Sequence, residues 1–540
     1  METRGDLASI LPFLPLVLRS SSLCWPSGAL GSLKALALGS DVSRIRSGEV
    51  LFDAILDLRE SLGLSSQPLA YGSASGFSSF FDELMSKEDS RVWFDNVVPE
   101  MARLLLQLPS LLESHYLKSD ELFSEGKSGI RIMGPQEPGR VFLSQELIAA
   151  LLSCAMFCLF PTSDRGFRGL PIINFDNLFA PLYWNEKQHQ VQKVKCIIHY
   201  FERITSKMLT GSVSFERKVL HVDNSDHGLA YSSTTYWRSS TTPLCPFGVM
   251  FDADVFSEGL IEDQPYEAIE VDFANEYFGG GALGQGCVQK DKHYLGISKQ
   301  EEIRFMINPE LIVGMLFLPS MNANEAIEIV GVERFSSYSG YGHSFQFMGD
   351  YQDNKPYDSM GRRKTWIVAI DALSNPRMRQ YGIEYLVRET NKALCGFFDQ
   401  SKYKCRIESS ETFPKHAKDI GSSESKGNPE GTSVSESSQV RNFQGSRGIA
   451  TGNWGCGAFG GDPEIKSMIQ WLAASEGLRP FIHYYSFGEA ALQKLEEATR
   501  WILQHGWTVS DLWSMLAEYC DQRLSSKTFN GFFDWLLPCN

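Results

Sequence analysis

The sequence lacks the features that mark membrane-spanning and metal-binding chains. No apolar stretch reaches the ~18 uninterrupted residues that a membrane span requires. The eleven cysteines include no Cys-x-x-Cys pair, and neither they nor the ten histidines show the spacing of a metal site. We therefore expect no metal, no cofactor and no membrane partner. Unpaired cysteines of this kind are typical of reduced thiols in a nuclear or cytoplasmic protein.

Basic charge is also scarce. The chain has 50 Lys and Arg residues against 65 Asp and Glu residues, and its formal net charge is -15. Broad binding to a nucleic-acid backbone requires a net basic face. This balance argues against direct binding of duplex nucleic acid, so a polyanionic substrate would be held locally by backbone N–H groups and a few placed side chains.

The remaining composition is that of an ordinary folded protein, with 43% hydrophobic and 21% charged residues. A chain of 540 residues is long enough for two or three domains. The N-terminal apolar run, residues 10–18, is preceded by Glu2 and Asp6 and interrupted by Pro12 and Pro15. We therefore interpret it as a packed segment rather than a signal peptide.

Helical periodicity dominates the first part of the chain. Apolar residues recur at three- and four-residue steps through residues 101–112, and residues 147–160 are apolar nearly all round after the potential cap Ser144. This pattern predicts a helical accessory domain over residues 1–205 that contains one deeply buried helix.

Short β-type runs alternate with helical ones from about residue 206. The runs cover residues 218–222, 268–274, 325–335, 365–373 and 481–487. Such alternation is typical of an α/β layer fold with a mostly parallel or mixed sheet, here over residues 206–500. A tract rich in Ser, Gly, Glu and Lys, residues 408–447, is predicted to be a disordered insertion. Residues 501–540 form a helical segment that we expect to pack on this domain.

Three consecutive glycines, residues 279–281, follow the predicted strand at 268–274. Their backbone can approach a ligand closely with amides free for phosphate oxygens, so they predict a phosphate-binding loop. With Gly284 they also satisfy the pattern G-x-G-x-x-G, and Glu301 falls near the position of a Rossmann ribose acid. A nicotinamide-dependent oxidoreductase is disfavoured, because residues 285–288 make a poor start for the helix that a Rossmann site needs.

Glu301 and Glu302, taken alone, are better explained as the solvated start of a helix, where carboxylates interact favourably with the helix dipole. The wider set of motifs decides between these interpretations. VDFAN precedes the glycines, QEE at 300–302 is followed by IRFMINPEL, and then come ERFSSYSGYGHSF, TGNWGCGAFGGD at 451–462 and YYSFGE at 484–489. From about residue 140 onward this order resembles the poly(ADP-ribose) glycohydrolase family, and the N-terminal part is similar to its plant members.

The resemblance implies a macrodomain-like α/β/α sandwich with a mixed sheet, preceded by an N-terminal helical domain. It also implies a glycosidase that hydrolyses the ribose–ribose bonds of poly(ADP-ribose) and releases ADP-ribose without a cofactor. We expect a monomer that acts on poly(ADP-ribose) attached to modified proteins, in the nucleus and/or the cytoplasm, as part of the DNA damage response.

The family's catalytic roles fall on three acids and one amide of this chain. Glu302 matches the general acid, which protonates the departing ribose oxygen and afterwards, as a base, activates water. Glu301 and Asn275 match residues that hold ribose hydroxyls, and Asp272 matches a residue that orients the site. A general acid needs a raised pKa, which burial and a neighbouring like charge such as Glu301 can supply.

The resemblance also assigns the substrate-binding residues. Gly280 and Gly281, together with the second glycine-rich loop at residues 455–460, would donate backbone hydrogen bonds to the diphosphate. Asn453 and Phe459 fall in the region of the ribose and diphosphate.

The adenine end of the ligand involves four further positions. Phe487 matches an aromatic residue that stacks on adenine, Ile261 and Glu262 match residues at the adenine edge, and Tyr341 matches a tyrosine that covers the bound ligand. An aromatic residue at a strand end is by default part of the core, so only its position in the match favours Phe487.

One segment departs from the family pattern. Residues 290–300, KDKHYLGISKQ, separate Gln289 from Glu301, where the family has glutamine directly before the two glutamates. If this segment loops out, the catalytic anchors can stay in place at little entropic cost. The alternative is a catalytically inactive macrodomain that binds ADP-ribose or its polymer.

Overall fold

The computed structural model describes residues 4–122, 129–184, 188–220, 233–250, 261–263, 267–284, 300–398 and 447–538. Two of the segments singled out above lie outside these ranges, apart from one terminal residue of each. They are the tract predicted to be disordered, of which only Arg447 is described, and the segment 290–300, of which only Gln300 is described. Residues 285–288 also lie outside.

Most strands of the described residues belong to one sheet. The strands are β1 (Val17–Arg19), β2 (Ser22–Cys24), β3 (Gly139–Ser144), β4 (Ser212–Val219), β5 (Phe247–Met250), β6 (Ala268–Ala274), β7 (Glu325–Val330), β8 (Ser336–Ser339), β9 (Gln346–Asp350), β10 (Trp366–Asp371), β11 (Gly448–Gly452) and β12 (Ile482–Tyr485). Eight strands form a sheet in the order β3-β4-β7-β10-β6-β11-β12-β5. The five from β10 to β5 are parallel, and β7, β4 and β3 pair antiparallel. The sheet is therefore mixed.

Helices cover both faces of this sheet. Before β4 the α-helices of the described residues are Gly5–Ile10, Ser27–Ala37, Ser40–Ser43, Gly48–Ser61, Ser73–Ser78, Lys87–Val92, Val98–Leu122, Gln145–Met156, Asp176–Phe179 and Gln188–Ser206. After β4 they are Thr234–Ser239, Gln300–Ile307, Ile383–Phe397, Pro463–Glu476, Leu495–Gln504, Val509–Leu524 and Phe532–Leu536.

Two hydrophobic cores lie on opposite faces of the sheet. In β10, Ile367 packs in the core that contains the N-terminal helices, whereas Val368 packs in the core that contains the C-terminal helices. Successive strand residues point to opposite faces, so a strand buried on both sides must be apolar throughout. Trp513 in the C-terminal segment stacks on Trp237 in the second core, with ring centroids 5.6 Å apart. This arrangement confirms the predicted α/β fold, in which a mixed sheet lies between helical layers.

The buried helix predicted at residues 147–160 is present as Gln145–Met156. The side chain of Ser144 accepts a 3.2 Å hydrogen bond from the backbone N–H of Leu147, as an N-cap does. Every residue of the helix except Glu146 is buried. The helix is preceded by β3, so the region predicted to be a helical domain also contributes the edge strand of the sheet.

All five predicted β-type runs overlap strands, and 268–274 coincides with β6. The run predicted at 218–222 is misplaced, because β4 begins six residues earlier, at Ser212. Its sequence is rich in charge, but Arg217 is fully buried and forms an ion pair with Glu325 of the neighbouring β7. A charged residue can be buried in a strand when it is paired in this way, but its charge interrupts the apolar pattern by which the strand would be predicted.

The N-terminal apolar run packs into the first core. Ile10, Phe13, Leu14 and Leu16 are all buried there. None of the helices in the described ranges is both long enough and apolar enough to cross a membrane.

Candidate active site

The predicted site residues gather where three parallel strands end. Asn275 follows β6, Asn453 follows β11, and Phe487 lies two residues beyond β12. Because β6, β11 and β12 are parallel neighbours, their carboxyl ends meet at the same edge of the sheet. Ligands of open α/β sheets bind in the crevice at this edge.

A tight turn of the backbone, not a helix, follows β6. Gly279 and Gly280 both have positive φ, 87° and 44°, which glycine adopts without steric cost. The N–H of Ala282 donates to the carbonyl of Gly279 at 2.8 Å. No helix begins within this turn, which further disfavours a dinucleotide-binding fold.

The backbone donor expected at Gly280 is used inside the turn. Its N–H donates to the carbonyl oxygen of Tyr277 at 2.8 Å, and the contact of Gly280 with a diphosphate stays a prediction. Glycine is required here for a different reason. A Cβ on Gly280 would lie 2.6 Å from Oε2 of Glu301 and 3.2 Å from Cβ of Asn275. The N–H of Gly281 has no acceptor among the described residues.

Glu301 is clamped by the backbone of the strand end and the turn. Its Oε2 accepts a 2.9 Å hydrogen bond from the N–H of Asn275, and its Oε1 accepts a 2.7 Å bond from the N–H of Gly279. The side chain is almost completely buried. The first turn of the helix Gln300–Ile307 is therefore fastened to the glycine turn, across the segment that lies outside the described residues.

Three carboxyl groups share this small volume. Burial, with the charge of Glu302 added to it, raises the pKa of Asp272 to about 7 despite the opposing charge of Arg304. Burial, with the charges of Asp272 and Glu302, holds the pKa of Glu301 well above its ordinary value, and the two N–H donors only partly oppose this. Asp272 is buried, and neither of its carboxyl oxygens has a hydrogen-bond partner within the described ranges.

Glu302 is half-buried and lies beside this pair on the same helix. Its charge acts on both Asp272 and Glu301, which places the three acids in one electrostatic cluster. Protons in such a cluster are shared between coupled groups rather than held by independent ones. The arrangement can therefore present a protonated carboxyl near neutral pH.

Cations on the inner side of the helix compensate the deeper acids. Arg304 forms an ion pair with Glu270 of β6 and lies 4.0 Å from Glu262, and Lys355 lies 3.0 Å from Glu270. Burial would raise the pKa of Glu270, but the charges of Arg304 and Lys355 outweigh it and the pKa is lowered. Glu270 is therefore an ionised structural anchor, unlike the neighbouring Asp272.

The residues predicted for the adenine end lie together in an aromatic wall. The ring centroids of Phe487 and Tyr341 are 6.1 Å apart, and those of Tyr341 and Tyr338 are 6.3 Å apart. The hydroxyl of Tyr338 donates to Glu262, which follows the buried Ile261. Phe487 has φ 51°, which is unusual for a bulky residue and identifies a strained backbone at the site.

The second glycine-rich loop, residues 455–460, lies next to these strand ends. The N–H groups of Gly457 and Ala458 have no hydrogen-bond acceptor in the described part of the chain. Gly455 has φ 72°, and a Cβ there would lie 3.0 Å from Nζ of the buried Lys466. Phe459 is half-buried, and its carbonyl accepts a bond from Asn375. This loop has the free donors that suit an anion.

Asn453 is fully buried and bonded within the protein. Its Nδ2 donates to the carbonyl of Ser486 at 2.9 Å, and its Oδ1 accepts from the hydroxyl of Tyr484 at 3.0 Å. The side chain thus ties the end of β11 to the segment after β12. Asn275 likewise forms a turn, because its Oδ1 accepts from the N–H of Tyr277 at 3.1 Å. The Asn275 side chain therefore stabilises the turn after β6, and its Nδ2 is left for other contacts.

The sequence alone did not identify two cations and one tyrosine that support the site. Arg304, Lys355 and Tyr338 touch the predicted residues Glu262 or the anchor Glu270. A signal was available, because an apolar strand with two acids requires cations or protonation to bury them.

Two family models match the chain. The model described as "Poly (ADP-ribose) glycohydrolase (PARG), helical domain" matches residues 85–217, and the one described as "Poly (ADP-ribose) glycohydrolase (PARG), Macro domain fold" matches residues 234–494.

Similar proteins come from a plant and a nematode. "Poly(ADP-ribose) glycohydrolase 1" of Arabidopsis thaliana is 49% identical over 100% of this chain and 98% of its own length. "Probable poly(ADP-ribose) glycohydrolase 2" of the same plant is 49% identical over 99% of both chains. "Poly(ADP-ribose) glycohydrolase 1" of Caenorhabditis elegans is 30% identical over 63% of this chain and 36% of its own length.

Proposed function

Since the chain belongs to the poly(ADP-ribose) glycohydrolase family, we propose that it hydrolyses the ribose–ribose bonds of poly(ADP-ribose) with Glu302 as the general acid and base. The observation that carries this assignment is the clamp on Glu301, which fastens the two glutamates to the glycine turn at the sheet edge.

The reaction uses one carboxyl group twice. Glu302 first donates its proton to the departing ribose oxygen while the C–O bond breaks and an oxocarbenium-like centre forms. The resulting carboxylate then takes a proton from water, whose oxygen forms the new bond to the sugar. The buried neighbours Asp272 and Glu301 support this role, since their ionisation is coupled to the charge of Glu302 and one proton can be kept within the cluster.

The neighbouring residues position the sugar. Glu301 is held rigidly by two N–H donors, and each of its oxygens retains a second lone pair that can accept a ribose hydroxyl. The free Nδ2 of Asn275 is a second contact for the same sugar. Asp272 orients this pair from its buried position rather than reaching the substrate.

The diphosphate and the adenine occupy the adjoining part of the crevice. The N–H groups of Gly281, Gly457 and Ala458 are the donors available for phosphate oxygens. Phe487 stacks on the adenine and Tyr341 closes over it, with Ile261 and Glu262 at the edge of the base.

A single substitution tests the assignment of the acid. Glu302→Gln should lower the release of free ADP-ribose from poly(ADP-ribose) by about 100-fold or more, since general acid–base catalysis supplies ~100- to 10,000-fold. Binding of ADP-ribose, measured by isothermal titration, should persist. Glu276→Gln is the matched control, because Glu276 is an exposed glutamate beside the same turn. Equal turnover by Glu302→Gln and the wild type would sink the assignment.

The inactive binding module is not favoured, because relatives named as hydrolases align with the whole chain. Deletion of residues 290–300 tests it directly. We expect the full chain to release ADP-ribose already, because Glu301 is anchored to Asn275 and Gly279 independently of that segment. A chain that binds ADP-ribose without turnover, and gains turnover on deletion, would instead support the binding module. A chelator should leave the activity unchanged.

The proposal extends to the cellular setting of the enzyme. The substrate is poly(ADP-ribose) on modified proteins, held by local donors because the net charge of -15 repels a polyanion elsewhere. Eight buried or half-buried cysteines of the described residues are free thiols, which suits the nucleus and/or cytoplasm. The enzyme acts there as a monomer in the response to DNA damage. Imaging of a tagged chain before and after DNA damage, with sedimentation of the purified protein, tests these points.

A further inference from the structure

Three buried polar atoms beneath the catalytic helix have no partner. They are Nε of Arg304, Oδ1 of Asn308 and Oγ1 of Thr365, each without a hydrogen bond to any described residue. All three side chains are at least nine-tenths buried, with relative exposures of 4%, 1% and 2%. Leaving one such group without a hydrogen bond costs ~1–3 kcal/mol. Three unsatisfied groups that lie close together therefore require an explanation.

All three residues line the same small cavity. Its space open to a water molecule is about 10 Å³, and its lining also includes Glu262, Arg334, Tyr351, Asp353 and Lys355. One water needs roughly 10–15 Å³ measured in this way. The cavity therefore fits a single water or a monatomic ion and nothing larger.

The orientation of each unsatisfied group is set by its other bonds. Nδ2 of Asn308 donates to the carbonyl of Glu333 at 2.8 Å, so its amide oxygen is the group left over. Arg304 is held through its terminal nitrogens by Glu270 and Glu262, which leaves the Nε–H. The cavity thus presents one fixed donor, one fixed acceptor and the hydroxyl of Thr365, which can serve as either.

We infer that this cavity is a binding site for one water molecule that joins the catalytic helix to the start of β10. The water accepts a hydrogen bond from Nε–H of Arg304, donates one to Oδ1 of Asn308 and exchanges one with the hydroxyl of Thr365. Three bonds are the usual number for a buried water.

Charge excludes the competing ions. Each cation at the cavity already has an acid as partner, because Arg304 and Lys355 pair with Glu270 and Arg334 pairs with Asp263. A halide would be repelled by Glu262 and Asp353 and would leave the acceptor of Asn308 unsatisfied. A metal cation would be repelled by the Nε–H of Arg304. Only a neutral molecule that both donates and accepts satisfies all three groups.

The site has a consequence for catalysis. Arg304 and Asn308 lie at the C-terminal end of the helix whose first turn carries Glu301 and Glu302. Thr365 directly precedes β10, which pairs with β6. The water therefore holds the helix to the sheet at the end opposite the clamp on Glu301. Thr365 is a positioning residue in this scheme, and the part that concerns turnover rests on the proposed function.

Thr365→Val distinguishes a filled cavity from a dry one by the sign of its effect. Valine keeps the shape but removes the hydroxyl. With the water bound, the variant leaves the water short of one hydrogen bond and its Tm should fall by roughly 1–3 °C. With a dry cavity, the variant removes an unsatisfied hydroxyl and should be as stable as the wild type or more so. Thr365→Ser, which keeps the hydroxyl, should bind the water as the wild type does.

Crystallography gives a second and independent measurement. A crystal structure of the wild type should show one solvent peak within hydrogen-bond distance of Arg304 Nε, Asn308 Oδ1 and Thr365 Oγ1. An empty cavity would overturn the inference, and so would an anomalous peak there after a bromide soak. The kcat of Thr365→Val should fall severalfold while its KM stays constant. If the stability and the peak behave as expected but no variant or wild-type chain turns over poly(ADP-ribose), the proposed function fails and the water site stands.

Discussion

Oε1 of Glu301 accepts a 2.7 Å hydrogen bond from the backbone N–H of Gly279, so a carboxyl on one side of an eleven-residue segment, 290–300, is fastened to the turn on the other side. This bond makes the geometry of the site depend on short-range contacts rather than on the length of the chain between them. The clamp also requires that both carboxyl oxygens of Glu301 accept a hydrogen bond.

Glu301→Gln tests that requirement. Glutamine has one acceptor, so its NH2 group must face one of the N–H donors of Asn275 or Gly279 and leave it unsatisfied at a cost of ~1–3 kcal/mol. We expect the kcat for poly(ADP-ribose) to fall by at least about tenfold, and the Tm to fall slightly. Glu497→Gln, at an exposed position, should change neither value. Full activity of Glu301→Gln would show that the clamp does not matter for turnover.

Gly280→Ala should damage activity more than stability. The added Cβ would lie 2.6 Å from Oε2 of Glu301, and alanine is strained at φ 44°. A displacement of ~1 Å at a catalytic group can cost ~100-fold, so we expect a loss of about that size in kcat. Gly284→Ala in the same turn is the control, because its nearest neighbour would be 3.9 Å away. Equal rates for the two variants would contradict the steric argument.

Phe487→Ala should weaken substrate binding with little effect on the chemical step. Stacking of a base on an aromatic ring contributes ~1–3 kcal/mol, which corresponds to a rise of about 5- to 150-fold in the Kd for ADP-ribose. The folded state should tolerate the change, since the ring is half-buried at the edge of its core. Phe529→Ala removes a largely exposed ring and serves as the control. An unchanged Kd would mean that Phe487 is only a core residue.

Asp272→Asn should alter the pH dependence of stability. Burial raises the pKa of Asp272 from 3.8 to about 7, so the folded state binds this proton more tightly than the unfolded state does. The free energy of unfolding therefore decreases as the pH rises from about 4 to about 7, by at most about 1.4 kcal/mol per pH unit. Asparagine removes this contribution, and the variant should show a shallower decline in denaturant unfolding across that range.

The control for this experiment is Asp41→Asn, which changes an exposed acid. Its stability profile should run parallel to that of the wild type. If Asp272→Asn also runs parallel, Asp272 is ionised throughout this range and the coupled cluster at the sheet edge has been misassigned.

The sequence predicts those parts of the structure whose physical signal is local. The strand β6 and the turn after it were predicted because an apolar run ends directly in glycines. The edge strand β3 was not predicted as part of the sheet, because its pairing with β4 joins residues more than 60 positions apart. The start of β4 could not be predicted for a related reason. Arg217 can be buried there only because it pairs with Glu325, which lies far away along the chain.

The site residues divide in the same way into those with a local sequence signal and those that depend on contacts formed on folding. Glu301, Glu302 and the aromatic residues could be proposed from motifs, and the structure brings them to one edge. The hydrogen bond of the Gly280 N–H within the turn and the buried contacts of Asn453 could not be proposed from motifs, because both form only in the folded turn and loops. A cation such as Arg304 could have been predicted, because two acidic residues in one buried strand require either a positively charged partner or protonation.

The pairing of β3 with β4 makes the helical region and the sheet inseparable as a folding unit. A chain that began after residue 205 would keep β4 but expose its N–H and C=O groups along a whole side. An open edge of this kind is a template for another strand, and natural sheets protect against it. Such a truncated chain should aggregate or pair edge to edge, even though every residue named in the catalytic cluster would still be present.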